Sequence, residues 1–162
     1  MREGNPKIQS GVAAVAPTGD DADRFAALDR LIDELADSPA DRHGPRIVAL
    51  TRTITRLDAL LAAEVRSFDR NVEYQIDLNR SAASWIAART KTARAQAARL
   101  VRRARRIDEL AVFGPLWQAG LVSSHQIDLV LAARRRADDN EAFAEEEARF
   151  AATALKKRPE ML

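Results

Sequence analysis

The stretch Ser81-Ala82-Ala83-Ser84-Trp85-Ile86-Ala87-Ala88-Arg89-Thr90-Lys91-Thr92-Ala93-Arg94-Ala95-Gln96-Ala97-Ala98-Arg99-Leu100-Val101-Arg102-Arg103-Ala104-Arg105-Arg106-Ile107 reads as two helices joined by a tight turn. Ser81 can cap a short helix through Arg89, with Trp85 and Ile86 inward. Thr90-Lys91-Thr92 makes the turn, and a basic helix runs from about Ala93 to Leu110. Ala87 is the small residue that a close crossing of the two helices requires. Ala97, Leu100, Val101, Ala104 and Ile107 recur at helical spacing and form the inner face. Arg94, Arg99, Arg102, Arg103 and Arg106 are then expected to project away from it.

From Leu78 to Ile107 there are nine positive charges and no acid, although the whole chain is only +2. A basic helix-turn-helix in a nearly neutral protein points to nucleic acid. Arg can pair bidentately with guanine or hold phosphates, and helix-turn-helix units place the second helix in the major groove. Lys91, Arg94, Arg99, Arg102, Arg103 and Arg106 are therefore the candidate DNA contacts. The competing reading is a solvated basic face of a bundle helix, paired with acidic helices elsewhere.

Working outward, 162 residues suit one domain with an ordinary core. Ala and Leu dominate the apolar residues, and Gly and Pro number six each, so the composition favours helix throughout. No segment alternates as a strand would. Residues 1–19 mix Gly, Pro and Ser without a period and are expected to be a disordered arm. A single helical domain is expected over 20–158. It begins with a helical hairpin over 20–70. Phe25, Leu28, Ile32 and Leu35 stripe its first, acidic helix, from about Asp21 to Ser38-Pro39. Ile47, Leu50, Ile54, Leu57, Leu61 and Phe68 stripe a long second helix that ends near Arg70. The stripes are expected to pack on the rest of the domain, with a homodimer through residues 21–70 as the alternative.

The helix-turn-helix-like region spans 80–136. Within it Gly114-Pro115 breaks the chain, and Gly120 supplies a left-handed helix end. Ser123 or Ser124 caps a helix whose core face is Ile127, Val130 and Leu131, and Trp117 belongs to the core. An acidic helix over 138–158 follows, in which Glu141, Glu145, Glu146 and Glu147 read as a solvated face.

The absence of Cys excludes disulfides and thiolate chemistry. The only histidines are His43, in a linker, and His125, in a first helical turn, so no histidine-based metal or general-base site is evident. No phosphate loop or dinucleotide fingerprint appears. No apolar run reaches the length of a signal core or a membrane span, so a cytoplasmic protein is expected. No cofactor, metal or small-molecule substrate is expected, nor any catalysis.

Arg80-Ser81-Ala82-Ala83-Ser84-Trp85-Ile86-Ala87-Ala88-Arg89-Thr90, Ala97-Ala98-Arg99-Leu100-Val101-Arg102-Arg103-Ala104 and Ala119-Gly120-Leu121-Val122-Ser123-Ser124-His125, the last with Leu116 before it, resemble one family. It is the actinobacterial domain of unknown function that precedes HNH endonucleases in the thirteen-E-twelve repeat proteins. The resemblance runs from about Ala49 to Arg136. It implies a DNA-targeting module of a mobile-element protein. Family members usually continue into an HNH nuclease, and none is present before Leu162, so a truncated copy is expected. The family's common Gly-Leu-Ser turn is Lys91-Thr92-Ala93 here, so Lys91 needs a left-handed or otherwise altered backbone.

Overall fold

A computed structural model describes residues 16–135 and 140–156. Most of the expected disordered arm, Arg136, the opening Asp138-Asp139 of the last helix and its expected end before Pro159 lie outside them. Among the described residues the chain forms seven α-helices, two short 3-10 turns and no strand. The protein is all-α. Its residues divide into two compact units, Met1–Ala40 and Asp41–Leu162, where the sequence reading ran one domain across 20–158.

The first unit contains α1, Asp20–Asp37. Asp20, Asp21 and Asp23 occupy its first turn, where they complement the unpaired N–H groups and the positive end of the dipole. Ser38 leaves the helix in an extended conformation, as the following Pro39 requires. No residue of α1 is buried, and Phe25, Ile32 and Leu35 are exposed.

The second unit is built on α2, His43–Arg70. The helix takes in His43 and Gly44, which the sequence reading had placed in a linker. Pro45 is tolerated there because a first-turn residue has no intrahelical N–H bond to lose. Core packing uses the face made by Thr55, Ala59, Ala62 and Val65. This corrects the expected packing stripe: Ile47, Leu50, Ile54, Leu57 and Leu61 are all exposed. Small side chains let α4 and α5 approach α2 closely, and Leu or Ile at those positions would hold them off.

The link to α3 holds a 3-10 turn at Glu73–Gln75, and Val72 and Leu78 on either side of it take positive φ. Asp77 pins this link by accepting from Trp85 Nε1 at 2.6 Å and pairing with Arg89 at 2.8 Å. Then come α3, Ala82–Thr90, and α4, Arg94–Arg106, which a 3-10 turn at Ile107–Glu109 follows. Next is α5, Phe113–Gln118, which takes Gly114-Pro115 into its first turn where the sequence reading had a break.

Gly120 ends α5 with φ +71, as expected for a left-handed terminus. It is also a contact point, since a Cβ there would lie 2.7 Å from Arg52 Cγ and 2.9 Å from the Arg52 carbonyl. Arg52 Nε donates to the Ala119 carbonyl at 3.2 Å, which clamps the turn to α2. Ser123, with Gln126, makes the capping box of α6, Ser124–Arg134. Trp117 is buried and donates from Nε1 to Ser124 Oγ, which in turn donates to Asp58 of α2.

The last helix, α7, runs Asn140–Lys156 and buries Phe143, Glu147 and Ala151. Glu147 is 1 % exposed, so it does not belong to the expected solvated face, whereas Glu145 and Glu146 do. Its Oε1 accepts from the backbone N–H groups of Val112 and Phe113, at 3.0 and 2.9 Å. A charge from α7 thus satisfies the otherwise unpaired N-terminus of α5.

Candidate nucleic-acid interface

The basic region starts with a strong local signal. Ser81 Oγ accepts from Ser84 N–H at 3.1 Å, and Ser84 Oγ accepts from Ser81 N–H at 3.2 Å. This reciprocal cap fixes the start of α3, and Ala82 and Ile86 fall on its buried side. Trp85 is half-buried against Phe68, with ring centroids 4.6 Å apart.

Lys91 ends α3 in the left-handed region, at φ 55 and ψ 22. The chain therefore makes with Lys the conformation for which Gly is ordinarily used. Thr90 helps to hold it, donating to the Ile86 carbonyl at 2.8 Å and lying 2.6 Å from Thr92 Oγ1. Ala93 gives α4 no side-chain cap. The first N–H groups of α4 consequently sit beside Lys91 and Arg94 without one.

Ala97, Val101 and Ala104 of α4 are buried, and Leu100 and Ile107 are half-buried, as the spacing predicts. The six nominated cations then separate into two groups. Lys91, Arg94, Arg99 and Arg102 are exposed, and no acid among the described residues pairs with them. Arg103 and Arg106 do not project freely, which corrects the expectation for both. Arg103 donates from Nε and Nη2 to both carboxylate oxygens of Asp128, at 2.9 and 2.8 Å, and lies over the Trp117 ring at 5.5 Å. Arg106 forms the same fork with Glu109, at 2.9 and 2.7 Å, and donates to the Leu131 carbonyl. The reason is positional. Arg103 lies beside α6, where an unpaired charge would be costly, and Arg106 ends α4 within reach of Glu109 in the next turn and of the Leu131 carbonyl of α6.

Arg105 is likewise engaged, donating to both oxygens of Asp69 on α2 at 2.7 and 2.8 Å. The Arg105 hydrogen bonds hold the Asp69 carboxyl below its ordinary range, and those of Arg106 do the same for Glu109. Of the nine positive charges in the stretch, Arg89, Arg103, Arg105 and Arg106 are neutralised within the fold. Arg80 joins the four exposed candidates, and the sequence reading had not nominated it. Its signal was its place just before the Ser81 cap, outside any helix that could bury it.

In the later part of the 80–136 region, α5 has only six residues before α6, and Trp117 lies wholly within the core. Arg134 lies over Phe143 at 4.9 Å, and His125 is exposed in the first turn of α6. Among the described residues there is no cluster of three or more His, Asp or Glu side chains that could hold a metal. No helix of the described residues is long and apolar enough to cross a membrane.

Fold and site together define a class: an all-α protein carrying a capped helix, a three-residue turn and a second helix with a basic outer face. The chain belongs to the family of the domain of unknown function DUF222, which matches residues 45–162. That span takes in most of the second unit and all of the basic region. No curated protein matches the chain, and no solved structure does.

Proposed function

We propose that this protein is a cytoplasmic, non-catalytic DNA-binding module that meets duplex DNA with the outer face of α4. The observation that supports this is the sorting of the cations. The fold neutralises Arg103 and Arg106, yet leaves Lys91, Arg94, Arg99 and Arg102 exposed without acidic partners among the described residues. A basic face serving only to bind the protein's own acids would show those acids in place, as Asp128 and Asp69 are for Arg103 and Arg105.

The uncapped start of α4 adds backbone N–H donors suited to a phosphate next to Lys91 and Arg94. Arg99 and Arg102, one turn and two turns further along, suit phosphates or guanine edges. By its resemblance to the domains that precede HNH endonucleases, the module serves to target DNA for a mobile-element nuclease.

Fluorescence anisotropy on generic duplex DNA over a salt series tests the reading. Four phosphate contacts give a slope of log K against log salt of about −3.6, and Arg80 as a fifth gives about −4.5. Absence of binding at low salt, or binding indifferent to salt, refutes it. The non-catalytic assignment has its own test: purified protein with Mg²⁺, Mn²⁺ or Zn²⁺ is expected to leave plasmid DNA uncut. Cleavage lost on His125→Ala would overturn the non-catalytic assignment.

A further inference from the structure

We infer that α2 pairs in parallel with α2 of a second copy of this chain, through the exposed seam between Ile47 and Leu61. The helix has two apolar faces. One, centred on Ala59 and Ala62, closes the core of the unit Asp41–Leu162. The other carries Ile47, Leu50, Ile54, Leu57 and Leu61, which remain 40–61 % exposed. Packing of the second unit therefore does not account for the seam.

Its spacing is three, four, three, four, the repeat of a left-handed coiled coil. In that repeat Ile47, Ile54 and Leu61 take the a positions, and Leu50 and Leu57 take the d positions. Two of the three a positions are the β-branched Ile47 and Ile54, and β-branched residues at a with Leu at d favour two parallel strands over higher assemblies. No charge occupies an a or d position between Ile47 and Leu61. The next d position is Glu64, and the next a residue, Phe68, stacks on Trp85 instead, so the seam ends there. An ordinary solvated helix face would carry charges at these positions.

The area supports a second copy of limited affinity. Five half-exposed Leu and Ile side chains, with the stems beside them, offer on the order of 500 Å² per copy. The total, about 1,000 Å², sits at the threshold for a specific interface. An interface of this size suits a concentration-dependent monomer–dimer equilibrium. A parallel pair relates the two basic regions by a two-fold axis along α2, so a DNA site would be a two-fold repeat. That corollary rests on the DNA reading; the dimer does not.

The chain has no Cys, so a single introduced thiol reports contacts without ambiguity. In a parallel pair the d positions face each other, within the Cα separation of about 4.4–6.8 Å that a disulfide spans. Full-length Leu57→Cys, oxidised without DNA, is expected to run at twice the monomer mass on a non-reducing gel. Glu145→Cys, on the exposed face of α7, is expected to stay monomeric. Sedimentation equilibrium of the unmodified chain, from micromolar up to about 200 micromolar, should show a monomer–dimer equilibrium, and Ile54→Asp should weaken it at least about tenfold with unchanged helicity.

A monomer at every concentration overturns the inference, as pairing of the seam within one chain or with another protein would give. So does a dimer that Ile54→Asp leaves intact, or one in which Leu57→Cys does not crosslink. If Ile54→Asp unfolds, the Leu57→Cys crosslink still decides the question. None of these measurements contains DNA, so failure here leaves the DNA reading standing and is distinguishable from its failure.

Discussion

Arg102 and Arg103 are neighbours in sequence, and the structure gives them opposite surroundings, so on the DNA reading replacing each by Ala should give opposite results. The Arg103 side chain is 11 % exposed, and that of its partner Asp128 is 27 % exposed. Removing one member of a buried pair costs roughly 3–5 kcal/mol, because the other charge is left without compensation. Water can reach part of Asp128, which lowers the figure to about 2–3 kcal/mol. Loss of the guanidinium above Trp117 adds about 0.5 kcal/mol. Arg103→Ala should therefore cost about 3 kcal/mol and lower the melting temperature by about 6–12 °C.

Arg102 is exposed and unpaired among the described residues, so Arg102→Ala should change stability by no more than about 0.5 kcal/mol. It should instead lower DNA affinity at every sequence and flatten the salt slope by about 0.9. Thermal melting followed by circular dichroism, with anisotropy titrations on the same samples, reads both quantities. Pairing with Asp128→Asn in a double-mutant cycle isolates the coupling for Arg103. The reasoning fails if Arg103→Ala melts with the unmodified protein but no longer binds DNA. It also fails if Arg102→Ala melts as low as Arg103→Ala is expected to.

Other expectations follow from single contacts. Lys91→Gly relieves the left-handed backbone at φ 55 and should raise stability by about 0.5–1 kcal/mol, seen as a higher melting temperature, while removing one cation from the DNA surface. Glu147→Ala strands the N–H groups of Val112 and Phe113 and should cost about 3–4 kcal/mol by denaturant titration, whereas Glu145→Ala should stay within about 0.5 kcal/mol. Asp69 and Glu109 have carboxyls held below their ordinary values, so their pairs contribute fully above those values and lose that contribution as pH falls through the lowered ones. Stability measured against pH should thus fall below about pH 4, and Arg105→Ala should remove part of that fall.

What the sequence revealed was whatever neighbours decide. Ser81, Gly120 and Ser123, the last one of two neighbouring cap candidates, are caps and turns whose chemistry lies within a few residues, and local reasoning placed them; their partners Ser84 and Gln126 came from the structure. The need for a left-handed Lys91 was equally local. Of the packing face of α2 only the end at Phe68, which packs on the core, was legible, because periodicity is weighted by large side chains. Leu and Ile drew the stripe, while the surface that actually packs is carried by Ala59 and Ala62, whose value lies in what they allow to approach.

The same division explains the site. Whether an Arg on α4 is free depends on acids far away in the chain: Asp128 lies 25 residues from Arg103, and Asp69 lies 36 from Arg105. No spacing rule reaches them. Helical phase on α4 does not separate them either: Arg106 follows Arg99 by seven residues and shares its side of the helix, yet Arg99 is exposed and Arg106 is forked to Glu109. Glu147 had a readable signal that a charge-based reading passed over. Phe143, Glu147 and Ala151 stand at i, i+4 and i+8, so an acid occupies the middle of an apolar stripe. An acid there must find donors inside the protein, and the unpaired N-terminus of α5 supplies them. Charge in this chain is therefore informative only after burial is assigned: the buried charges hold helices together, and only those left over lie open on the surface.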